Sequence, residues 1–254
     1  MKLYRLLVPA MCVMALASAS CERKSASTTQ TSSVPNVHPD IISKFALDGG
    51  KAGHAVHFEV AGLYRTFQSY NPVTNIKYHK PGVGGSVNFN VEAAPGFRFL
   101  ANTFFSDGGG RYIGGLAPDL VVRPDGSISP VHSYSTVDGF EWSLKPKDNP
   151  KGLETLVYGY YGGTYISRNT AVDTTGPIGY GVFANAASLN ANRSIQEITF
   201  GIHQTLWKNP TWGDLRIMTQ YSYLWRDPWF VPATNTQRNA TTNMVFVNLR
   251  YDIP

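Results

Sequence analysis

The residues able to do chemistry are few, and their spacing argues against most chemistries. His54 and His57 stand three apart, with Glu59 close behind. On an extended chain, residues three apart point to opposite faces, so the two imidazoles cannot hold one metal together. His57 and Glu59 do share a face, but no third ligand is visible, and a hydrogen bond between them is the simpler expectation. His132, Ser133 and Ser135 are the residue types of nucleophilic hydrolysis. No acid partner orients the histidine, and no nucleophile turn precedes either serine. The run Asp107-Gly108-Gly109-Gly110-Arg111 lacks the Gly-Lys-Ser/Thr ending of a phosphate loop, and no helical pattern follows it. Asp119 and Asp125 are two acids where a calcium ion wants six to eight oxygens. The expectation is therefore no catalysis, no metal and no cofactor.

The stretches that must position any site are extended. From about residue 54 the sequence alternates with period two. Val56, Phe58, Val60, Gly62 and Tyr64 oppose His57, Glu59, Ala61, Leu63 and Arg65. Similar alternation runs through 86–93, 97–105 and 140–145, more loosely through 153–166, and again through 197–206, 215–226 and 245–251. No fixed-period repeat or sustained amphipathic helix interrupts it. Aromatic, Thr and Val residues suit a pleated surface, while Gly, Pro and Asn punctuate turns; the chain holds 14 Tyr, 13 Phe and 24 Gly, with only 15% charged residues. The composition and the period agree on an all-β fold of eight strands.

These strands are long, about 10–13 residues where a globular strand runs nearer 5–6. A tilted strand crossing a bilayer needs about 9–11. Connections alternate: short at 93–96, 146–152 and 208–213, long at 67–82, 106–131, 167–193 and 227–242. Short turns on one side and long loops on the other are the pattern of an outer-membrane barrel. That pattern places both chain ends of the barrel on the short-turn side. A hairpin through Pro124-Asp125-Gly126 would raise the strand count to ten. Trp207 and Trp212 flank a short turn, and Trp225 and Trp229 flank a long loop; with Tyr223 and Tyr251 they are candidates for the aromatic girdles at the two membrane interfaces. The alternative reading packs these rings inside a soluble sandwich. In hydrocarbon no water can satisfy a backbone N–H or C=O, so spanning strands must be paired on both edges. Lipid then meets the apolar side. Glu59, Arg65, Glu92, Arg98, Glu141, Lys145, Glu197, Arg216 and Arg250 are expected to face the interior. An eight-stranded barrel is narrow enough for such side chains to fill it, whereas a wider one leaves a water path.

Ahead of the strands the chain changes character. Lys2 and Arg5 precede an apolar run, Leu6 to Ala17, and Ala17-Ser18-Ala19 is a small-residue cleavage pattern. This is the layout of a cleaved signal peptide over 1–20, too short for a spanning helix. Cys21 follows, where acylation would make a lipoprotein, but Ser18 stands where such signals carry Leu. Removal of the signal leaves at most one Cys and hence no internal disulfide. Residues 21–53 read as a Ser/Thr-rich linker and 54–254 as the barrel. The formal charge of +5 falls to about +3 without Lys2 and Arg5 (20 cations against 17 anions), too mild for nucleic acid.

The signal, the alternating strands and the closing segment Asn243-Met244-Val245-Phe246-Val247-Asn248-Leu249-Arg250-Tyr251 resemble porin-like outer-membrane β-barrel proteins of Gram-negative-type bacteria. The final stretch also resembles the C-terminal half of larger barrels. The resemblance implies a transmembrane antiparallel up-and-down barrel with a porin-like or structural role. It implies outer-membrane lipid and the barrel-insertion machinery as partners, with a homo-oligomer as one arrangement. Such barrels usually end on an aromatic residue, whereas here Tyr251 lies three residues before the terminal Pro254. Two other functions fit the residues: an outer-loop adhesin or receptor using Trp229, Phe230, Tyr112 and Tyr180, and a secreted β-sandwich binding module.

Overall fold

The computed structural model describes residues 13–15, 36–51, 53–114, 117–144, 153–174, 176–182, 191–230 and 239–253. The strands are β1 (Val13–Ala15), β2 (Ile41–Lys51), β3 (His54–Asn71), β4 (Ile76–Ala94), β5 (Phe97–Asp107), β6 (Leu120–Val122), β7 (Ile128–Pro130), β8 (His132–Leu144), β9 (Thr155–Ile166), β10 (Asn169–Asp173), β11 (Gly176–Tyr180), β12 (Asn192–Asn209), β13 (Gly213–Pro228) and β14 (Ala240–Asp252). One sheet runs in the order β1-β2-β3-β4-β5-β8-β9-β12-β13-β14. Every neighbouring pair in it is antiparallel. The protein is thus an all-β, up-and-down sheet. β1 lies inside the stretch read as the signal peptide; the rest of 1–20 falls outside the described residues.

Register separates the two faces. Cross-strand partners point the same way, and one row reads Glu59, Asn88, Asn102, Val137, Gly162, Glu197 and Leu224. This face carries most of the charged side chains. The other carries Phe45, Leu47, Val87, Phe89, Phe99, Trp142, Phe200, Ile202, Val245, Val247 and Leu249, all exposed. An apolar, solvent-exposed face of this extent is unlike the exterior of a soluble monomer; it has the character of the face that outer-membrane strands present to lipid. The well-buried apolar residues are few. The small cluster Ala117, Val131 and Ile166 sits at one end, beneath the loops.

The strand count departs from the expected eight. Nine long strands stand in the sheet among the described residues, because Ile41–Lys51, within the segment read as linker, pairs along its full length with β3. The signal was present in Ile41, Ser43, Phe45 and Leu47 alternating with Ile42, Lys44, Ala46 and Asp48, but the Ser/Thr-rich stretch before it masked the boundary. The hairpin through Pro124-Asp125-Gly126 does form, as β6–β7, yet as a separate two-stranded sheet that leaves the main one unchanged. The expected loop 67–82 is largely strand: β3 and β4 continue past their neighbours to a tight turn at 72–75. Asn75 holds φ 58° there, a left-handed conformation that Asn tolerates. Pro81 is accommodated because β5 pairs with β4 only from Val83 onward, so Pro81 occupies an edge.

The extra strand also reverses one end. β2 begins at the end of the sheet from which 108–114 and 167–174 extend, whereas β14 ends at the end that carries the short turns at 95–96 and 210–212. The first and last long strands therefore do not start and finish on the same side, as eight strands would require. β2 and β14 run in the same direction and do not pair with each other. An antiparallel ring needs an even number of strands, so these nine do not complete one among themselves.

Candidate functional site: the polar face and the loop seated on it

Eight of the nine charged residues expected to face inward share the polar face by register: Glu59, Arg65, Glu92, Arg98, Glu141, Glu197, Arg216 and Arg250. Lys145 lies outside the described residues. Most of the eight are partnered. Glu59 pairs with Lys44 and accepts a hydrogen bond from Asn88 Nδ2 at 2.8 Å. Arg98 lies 3.8 Å from Glu141 and opposite Glu92 in register. Thr199 Oγ1 donates to Glu197 at 3.0 Å. Arg216 and Arg250 stand directly opposite each other, a repulsive arrangement relieved by Asp214 on one and Asp252 on the other. These charges remain in reach of water: the Arg98, Arg216 and Arg250 side chains are roughly half exposed or more.

Arg65 is different, and its surroundings form the one buried charged cluster among the described residues. Its side chain has 0% exposure. The guanidinium lies 2.9 Å from Asp40 Oδ2 and 2.9 Å from Asp119 Oδ1, and Nη1 donates to Gly108 O at 2.6 Å. The Nε contact to Asp40 is an ion pair without the direction of a hydrogen bond, and Nη2 has no acceptor among the described residues. Phe67 and Tyr112 pack their rings on the cation at 4.9 and 5.7 Å. Asp119 in turn holds Arg111 through Nε and Nη2, both at 2.8 Å, and accepts the Arg111 N–H at 2.9 Å. Tyr112 Oη donates to Asp40 Oδ2 at 2.7 Å. Burial and the neighbouring carboxylate push the Tyr112 hydroxyl up to about 12. Asp119 is therefore an ion-pair acceptor, and Asp125, which caps its own turn through Ser127 N–H, stands elsewhere. No group of three metal-ligating side chains occurs among the described residues.

The consequence is mechanical. The segment 108–131 folds onto the polar face at the long-loop end and is tied there at several points. Beyond Arg65, Ser69 Oγ donates to Gly126 O and Asn71 Nδ2 donates to Asp125 O at 2.8 Å. The sequence spoke for Arg65 as an inward charge but gave no hint of Asp40, Tyr112 or Asp119 as its partners. Asp40 comes from the stretch just before β2 and the other two from 108–131, and no spacing rule connects either with Arg65.

The other sequence constellations come apart. His57 Nδ1 lies 2.7 Å from Asp48 Oδ1 and its Nε2 3.7 Å from Glu59, within the polar-face network. His132 meets Asp107 at 3.4 Å, but Ser133 and Ser135 occupy the opposite face from it, so no triad forms. Trp207, Tyr223, Trp225 and Tyr251 lie on the apolar face and Trp212 in the turn before β13. Trp229 donates its indole N–H to Ile166 O at 2.9 Å. The loop aromatics are engaged internally: Trp229 and Phe230 flank Arg168, and Tyr180 Oη donates to Asn192 O.

Long strands, one exposed apolar face, one charged face and an inward-folded loop define the fold of an outer-membrane β-barrel, here as an open sheet. The outer membrane channel DcaP of Acinetobacter baumannii shares that fold: TM-score 0.60 at 16% identity, over 90% of this chain and 55% of that one. The chain thus spans about half the length of that channel. No protein-family description matches the sequence, and no curated protein does.

Proposed function

We propose that the chain forms the wall of a porin-like passage in the outer membrane, through which small solutes diffuse along the charged face. The observation that carries this reading is the division of the sheet: an apolar face suited to lipid behind a charged face still open to water, with 108–131 seated on the latter. Similarity to a channel of the same fold supports it. An eight-stranded barrel would fill itself with its own side chains. Nine strands that do not close point to a wider ring, and a wider ring leaves room for water. The solute path then runs past Arg98, Arg216 and Arg250, with segment 108–131 narrowing it at the long-loop end. The barrel is inserted after export through a signal peptide cleaved near residue 20, leaving lipid around the apolar face.

The test is conductance of the folded full chain in planar bilayers, with and without deletion of 111–128. Discrete steps that grow on deletion are the expected result. Folded, inserted protein that conducts nothing in either form refutes the passage and leaves a structural wall. Phe230, Tyr112 and Tyr180 already have partners within the loops, which counts against their use as adhesin or receptor contacts.

A further inference from the structure

Among the described residues, a polar patch interrupts the apolar face. A row crossing β5, β8, β9, β12 and β13 on that face reads Thr103, Thr136, Gly163, Gln196 and Trp225. Below it, toward the turn end, Asp138 stands beside Tyr161. A carboxylate, a carboxamide and two threonines on a lipid-facing surface are costly unless something polar meets them. Gly163, between Thr136 and Gln196, has no side chain, and the Tyr161 hydroxyl leans over it to 2.8 Å from where a Cβ would stand. The result is a cleft of about 490 Å³. It runs from this row toward the long-loop end, where Tyr134, Tyr165 and Trp229 form its aromatic walls.

The hydrogen bonding of the cleft is half complete. Thr136 Oγ1 donates to Asp138 Oδ2 at 2.8 Å, and Tyr161 Oη donates to Gln196 Oε1 at 2.7 Å. That leaves Asp138 Oδ1 to accept and Gln196 Nε2 to donate, with no partner for either among the described residues. Asp227 and Arg193 face each other at 3.9 Å at the mouth. Asp227 in the lining and Asp138 just below it outnumber Arg193, so the site disfavours phosphate. Free acceptors and donors between exposed tyrosine rings suit a hydroxyl-rich ring, which offers O–H groups at its edge and C–H groups on its face.

We propose that this cleft seats the sugar headgroup of a glycolipid from the surrounding leaflet. Its position explains the source. Ser194, Asp227, Tyr165 and Tyr134 lie within three residues of the long-loop ends of their strands, at the depth of the headgroups, and the cleft opens sideways into lipid. The inference rests on the apolar face meeting lipid but not on the passage conducting.

The test is native mass spectrometry of the folded full chain, purified in a zwitterionic detergent without sugar. The probes are monoglucosyl diacylglycerol, phosphatidylglycerol with the same acyl chains, and methyl glucoside. Retention of one glucolipid per chain, at least tenfold above phosphatidylglycerol, is expected. Gly163→Val, which forces the Tyr161 hydroxyl away from Gln196 and off the floor, should lose that preference, and Asp138→Asn should weaken it about fivefold; heat-shifted gel migration confirms that each variant folds. Gln196→Ala serves if Gly163→Val does not fold. Equal retention of phosphatidylglycerol, or of methyl glucoside, overturns the proposal, as does a two-chain species that excludes lipid. A chain that stays monodisperse without detergent fails the lipid-facing premise itself, which separates that failure from a merely empty cleft.

Discussion

Replacing Asp119 with Ala should release the segment 108–131 from the polar face while leaving the sheet intact. Arg65 is fully buried, and Asp119 is one of its two carboxylates. Removing one partner of a buried ion pair costs about 3–5 kcal/mol, because the remaining charge is left uncompensated. The same substitution also removes both contacts to the Arg111 guanidinium and the acceptor for its N–H, but those are half exposed and add little. Lifting the segment lets Arg65 regain water, so the penalty bears on the closed form alone. Taking about 3 kcal/mol as the shift, the opening equilibrium moves roughly 100-fold at 1.4 kcal/mol per factor of ten. Hydrogen exchange reads this through amides bonded within the segment, which are sheltered while it is seated on the face. The amides of Gly108, bonded to Val131 O, of Val131, bonded to Asp119 O, and of Tyr112, bonded to Gly109 O, should exchange about 100-fold faster. Amides of β12 and β13 should be unchanged. Exchange at those three positions equal to the parent would refute the claim that Arg65 and Asp119 hold the segment. Acceleration spread evenly over the sheet would show instead that the cluster supports the whole fold.

Tyr112 should deprotonate late, near 12; the folded value lies above the ordinary one of about 10, so its contribution to the closed segment is complete below about pH 10 and is lost as pH rises toward 12. Tyrosinate absorbance compared between the parent and Tyr112→Phe checks this, with loss of a late-titrating component expected. Cysteines placed in turn at Ile202, His203, Val247 and Asn248 should label with a water-soluble maleimide only at 203 and 248; labelling at all four would contradict the assignment of faces. Ile202→Arg puts a charge on the apolar face and should cost about 2–4 kcal/mol in reversible unfolding from vesicles if it sits near the bilayer midplane, whereas His203→Arg should change little.

The polar and apolar faces were legible in the sequence because a strand's side chains alternate strictly. Once Glu59, Arg98, Glu197 and Arg250 sit opposite Phe58, Phe99, Ile198 and Leu249, no register can mix them. Strand length was legible for the same reason, since the alternation persists for as long as the strand does. What failed was at the margins. Ile41–Lys51 follows polar sequence and carries two glycines, so its pattern alone did not outweigh its neighbourhood. The 67–82 hairpin contains Pro72 and Pro81, which read as breaks until pairing showed one in the turn and one at an edge.

Alternation is a local property, so the sequence by itself settled which side chains share a face and that the faces differ in polarity. It could not settle which segments lie on that face from far along the chain. The union of Asp40, Arg65, Tyr112 and Asp119, and the cleft over Gly163, depend on strand register and on where a loop returns. Those are long-range choices, made by the packing of the whole sheet, and no short stretch of sequence encodes them.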